Sequence, residues 1–177
     1  FNAGQVTAIN SYNIAGLTSD QITTFDNSEL AYFTSDEVQL LTSTQLDGVL
    51  SSAIKGLNSA GLAALTSITV GTLESSQIAG LNSAQITALT SLQIGGLSSS
   101  ALSTFNSAQL AYFSTDEVSL LTATQLDGVG ASAMTGLASE GVAAWTSTTI
   151  TSLTSTQVAG FNAGQVTAIN SYNIAGL

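Results

Sequence analysis

An eight-residue period runs through the whole chain, and a fixed short period restricts the fold to a repeat architecture before any single residue is weighed. Residues 82–97 display it as two consecutive copies, NSAQITAL and TSLQIGGL. With Asn2 as position 1, residues 2–177 parse into 22 octads without insertion or deletion, and Phe1 is position 8 of a preceding octad. Position 5 is aliphatic in every octad, from Val6 and Ile14 through Met134 to Ile174. Position 8 is large and apolar in every octad, from Ile9 and Leu17 through Trp145 to Leu177.

Within the octad, start and stop signals of a helix recur. Thr or Asn at position 1 is a good N-cap, and Gln or Glu at position 4, present in 13 of 22 octads, completes a capping box. Position 8 of the previous octad and position 5 then form a hydrophobic staple. Gly stands at position 7 in nine octads, where a left-handed residue would end the helix. Nine of the 11 carboxylates lie at positions 1, 3 or 4, the first turn, where negative charge meets the positive end of the helix dipole. Lys55, the single cation, lies at position 6, as do Asp47 and Asp127, which run against the trend.

These signals predict an all-α solenoid with one very short helix per octad, spanning about position 2 to position 6, with positions 5 and 8 buried. A continuous helix is excluded because apolar spacings of three and five residues carry the stripe around the helix axis. The rival fold is a β-solenoid. The octad lacks the period of two that strands need, and Ala and Gln stand where β-branched residues would be expected. Such short helices lie far below the roughly 12–15 residues at which isolated helices become marginal, so stability belongs to the array. Position 2 is almost always Ser or Ala, which points to close backbone passage there.

No compositional break divides residues 2–177, which read as a single array, a window cut from a longer one. A second period of 80 residues overlies the octad. NSELAYFTSDEVQLLTSTQLDGV (27–49) returns as SAQLAYFSTDEVSLLTATQLDGV (107–129). Residues 161–177 are identical to residues 1–17, which extends the pattern to 160 residues. Two readings of the 80-residue period stand open: duplication of a ten-octad block, or a lateral contact repeated every ten octads.

Chemistry has little to work with. The chain has no His, no Cys and one Lys, and no base is placed to activate its many hydroxyls, so an enzyme is not expected and no cofactor is implied. A formal charge of −10 argues against nucleic acid, which is bound through Lys and Arg, and no apolar run approaches the length of a membrane span. Only 7% of residues are charged against about 25% in average usage. A surface of hydroxyls and amides points to a secreted or cell-surface protein.

Two clusters recur at the 80-residue spacing. Asp36–Glu37 and Asp116–Glu117, each followed by an Asp-Gly pair at Asp47 and Asp127, are weak candidates for calcium, whose ligands are carboxylates and carbonyls; first-turn dipole complementation is the favoured account. Tyr32 and Tyr112 occupy position 7, normally a small residue, and are candidates for self-association, because aromatic residues are enriched at contacts.

The octads NSAQITAL, TSLQIGGL, TSTQVAGF (154–161), TSDQITTF (18–25) and ESSQIAGL (74–81) resemble the T-x-x-Q-I/V-x-x-L octapeptide repeats of large bacterial secreted or surface proteins. The resemblance covers the whole chain and implies an adhesin-like or surface-layer-like role. Octads without the Gln, such as LSSAIKGL (50–57) and GASAMTGL (130–137), depart from it. The function expected is a non-enzymatic extracellular fibre, stalk or surface coat built by homo-oligomerisation or filament formation. The alternatives are an adhesin arm whose binding head lies elsewhere, and an ice- or carbohydrate-binding surface on a β-solenoid.

Overall fold

The computed structural model describes residues 3–169 and 173–174. It is an all-α solenoid of short helices: 18 α-helices of four to six residues and three 3-10 helices, with no strand among the described residues. The β-solenoid alternative is therefore not the fold. Two compact units, Phe1–Gly96 and Leu97–Leu177, are built on the same scheme.

Each α-helix from residue 19 onward begins at position 2, because position 1 caps it. Thr42 Oγ1 accepts from Gln45 N at 3.2 Å while Thr42 N donates to Gln45 Oε1 at 3.0 Å, so both halves of the capping box close. The same reciprocal pair forms at Asn82 with Gln85 and Thr90 with Gln93 in the first unit, and at Thr154 with Gln157 in the second. Octads 7 and 17 (50–57 and 130–137) offer Leu50 and Gly130 at position 1 and Ala at position 4. Without a cap they yield only the 3-10 turns Ile54–Gly56 and Met134–Gly136.

Positions 5 and 8 form the core. Leu46, Ile54, Leu62 and Ile78 are fully buried in the first unit, and Leu110, Val118 and Leu126 in the second. Position 8 adds aromatic pairs, Phe25 against Phe33 at 5.7 Å and Phe105 against Phe113 at 5.6 Å, both edge to face.

Octads meet their third and fourth successors. In the first unit the helix Ser35–Val38 packs on Ser59–Ala64, which packs on Ser83–Ala88. In the second, Thr115–Ser119 packs on Ser139–Ala143, and that on Ala163–Ala168. One turn therefore holds between three and four octads.

The glycines at position 7 correct one expectation. No glycine among the described residues has positive φ; Gly48 sits at φ −76° and Gly80 at φ −80°, in the right-handed helical region. Their reason is proximity. A Cβ on Gly48 would overlap the carbonyl of Ser19, and one on Gly128 the carbonyl of Ser99, each at position 2 of the octad three back. Backbones do pass close at position 2, and hydrogen is the only substituent that fits above it.

Candidate functional site

The most regular polar feature of the molecule is the position-4 amide. Gln85 accepts from Asn82 N through Oε1 and donates through Nε2 to Ile54 O at 2.8 Å and Leu57 O at 2.9 Å. Its acceptors are positions 5 and 8 of the octad four back, carbonyls at a helix end that have no partner further along their own helix. Gln77 donates in the same way to Leu46 O and Val49 O, Gln157 to Leu126 O and Val129 O, and Gln165 to Met134 O and Leu137 O. These side chains are buried, Gln85 and Gln165 completely. Each closes its own helix and ties it to the preceding turn.

Where position 4 is not Gln, other donors and contacts serve. Octad 18 has Gly141 there, whose Cβ would overlap Val118; Trp145 of the same octad donates from Nε1 to Val118 O at 2.7 Å. Asn173, at position 4 of the last octad, donates from Nδ2 to Trp145 O and to Ala143 O. Among the described residues no buried side-chain nitrogen or oxygen lacks a partner. The interior is thus saturated, and any interaction with another molecule falls on the outer surface.

On that surface the sequence candidates separate. Tyr32 and Tyr112 are 49% and 44% exposed. The next octads place Leu40 and Leu120 at the same position, 47% and 59% exposed. Sequence reasoning missed these two leucines. The signal was present: position 7 is small in most octads, and two consecutive large apolar residues there depart from it twice. Each unit thus carries one exposed aromatic-aliphatic pair.

The carboxylates do not converge. Asp36, Asp47, Asp116 and Asp127 are exposed, and Asp36 accepts from Gln39 Nε2 at 3.3 Å. Glu37 and Glu117 are turned inward on their own caps, accepting from Thr34 N at 2.8 Å and Ser114 N at 2.7 Å. Among the described residues no group of three or more acidic side chains could hold a metal ion, and no helix is long and apolar enough to cross a membrane.

The chain matches no known family model, no curated protein and no solved structure.

Proposed function

We propose that the chain is a non-enzymatic structural repeat of the cell exterior, which builds a fibre, stalk or surface coat by self-association. The observation that carries the reading is the exposed pair at position 7, Tyr32 with Leu40 and Tyr112 with Leu120. Four large apolar side chains stand in solvent on a molecule that buries nearly every other apolar residue of its interior octads. Exposed aromatic and aliphatic side chains mark contact surfaces, and a contact that recurs along a repeat multiplies by avidity. The low charge density and the resemblance to secreted octapeptide arrays support the extracellular setting.

The test is the double variant Tyr32→Ala/Tyr112→Ala. Its circular dichroism should match the parent, because both rings lie largely outside the core, while its assembly, followed by light scattering and negative-stain microscopy, should weaken at least tenfold in concentration dependence. A variant that assembles at the parent's concentration overturns the lateral contact and leaves the 80-residue period as a record of duplication.

A further inference from the structure

Residues 161–177 repeat residues 1–17 letter for letter, yet the two segments stand in different surroundings. Val6 is 1% exposed and its counterpart Val166 is 54% exposed; Ile14 is fully buried and Ile174 is 43% exposed. Val158, also at position 5, is 43% exposed. With Ile150, Phe161 and Ile169 these residues line an apolar hollow of about 250 Å³. Position 5 is the most thoroughly buried position of the interior octads, so this face has the composition of the interface between turns and no turn upon it.

What covers such a face is visible at the other copy of the segment. There Gln45 crosses from octad 6 to donate to Ile14 O at 2.8 Å and Leu17 O at 2.9 Å. Residues 18–49 therefore carry the complement of a surface that residues 161–177 specify with an identical sequence. We propose, building on the self-association reading above, that residues 161–177 of one copy dock against residues 18–49 of a second copy, in the place which that copy's own residues 1–17 hold in the isolated chain. The occupant is a second copy because the apolar side chains and the amide-to-carbonyl bonds required are already paired within this sequence. The contact joins unlike ends, so it does not close on itself and generates an open series. It also continues the 160-residue sequence pattern from one molecule into the next without a break.

The experiment is sedimentation velocity on the full chain over a wide concentration range, with Val158→Lys/Val166→Lys as the comparison. Both valines are open in the isolated chain, so the variant should keep the parent's circular dichroism; Val158→Ser/Val166→Ser serves the same purpose if the lysines disturb the fold. The parent should form multiples of 17.8 kDa, and the variant should remain at the single-chain mass throughout. Hydrogen exchange separates exchange of segments from simple stacking of ends, using peptides that run past residue 17 or begin before residue 161. Association should protect the second segment and deprotect the first. Protection of both, or a lysine variant that associates like the parent, overturns the proposal. If the lysine variant associates and Tyr32→Ala/Tyr112→Ala does not, the docking fails and the lateral contact stands. If the parent is a single chain at every concentration, both readings fail.

Discussion

Gln85 Nε2 lies 2.8 Å from the carbonyl oxygen of Ile54, 31 residues earlier in the chain. Ile54 O also accepts from Leu57 N at 3.0 Å, so this one oxygen serves the end of its own turn and the start of a helix a full turn later. The second amide hydrogen of Gln85 reaches Leu57 O. A residue whose propensity argument concerns only its own helix is therefore the bond between turns.

The substitution Gln85→Glu separates the two roles. A carboxylate keeps the oxygen that caps Asn82 N and loses both donors, leaving the carbonyls of Ile54 and Leu57 facing an acceptor. Losing two buried hydrogen bonds destabilises by about 2–4 kcal/mol, which urea unfolding at neutral pH should register as a lower midpoint. Gln21, exposed in the first unit and bonded within its own cap to Thr18, is the control: Gln21→Glu should stay within about 0.5 kcal/mol of the parent.

Two glycine-to-alanine changes should move stability in opposite directions. Gly128→Ala drives a methyl into the Ser99 carbonyl, and such overpacking costs about 1–3 kcal/mol. Gly95, inside the helix Ser91–Gly95, has nothing within 4 Å of its added Cβ. Gly95→Ala should stabilise by about 0.5–1 kcal/mol through helix propensity and a less flexible unfolded chain. If the position-7 glycines acted through a left-handed conformation, Gly128→Ala would be costly for a different reason, but the right-handed backbone makes the clash the whole effect.

Trp145 is the single tryptophan and is 2% exposed, so its fluorescence reports the second unit. Native emission should be shifted to the blue and should move to the red on unfolding. Trp145→Ala removes the indole and its bond to Val118 O and should cost about 3–5 kcal/mol. Trp145→Leu, which copies Leu65 at the same octad position of the first unit, should cost less.

Calcium in large excess over the protein should leave the thermal midpoint of the parent unchanged. Asp36 and Asp116 are exposed while their neighbours Glu37 and Glu117 are committed to caps, so the coordination shell of six or more oxygens that calcium requires is not assembled. A rise in the midpoint on adding calcium, abolished by Asp36→Asn/Asp116→Asn, would identify a site there.

The octad phase, the helix starts and the buried positions were legible because every signal involved lies within eight residues: Thr42 and Gln45 are three apart, and so are positions 5 and 8. The partners of the Gln amide were not legible, since Ile54 and Gln85 are related only through the number of octads per turn, which no local propensity sets. One trace of them is in the sequence all the same. A capping box accepts Glu as readily as Gln, yet Gln holds ten of the 13 such positions, and the excess of amide over carboxylate records the need for a donor. Position-7 glycine was misread because a helix end explains Gly locally, whereas Ser19 above Gly48 is a neighbour only after a turn has closed. Tyr32 and Tyr112 were found as exceptions to a small-residue position, but Leu40 and Leu120 were passed over because a leucine in an apolar repeat attracts no notice.

The amide bonds between turns all point the same way along the sequence: the donor is the later residue and the carbonyls the earlier ones, at separations of 28 and 31. During synthesis the carbonyls of an octad therefore wait, hydrated, until about 30 more residues have left the ribosome, and the arriving glutamine then locks what preceded it. From that point every eight residues made complete one more lock, and no step requires a residue from the far end of the chain. Folding keeps pace with elongation, at a fixed lag, and the short separations place the chain among the fast folders. The segment still unlocked is always the most recently made one, so the length of exposed apolar sequence during synthesis is the same for an array of any number of octads.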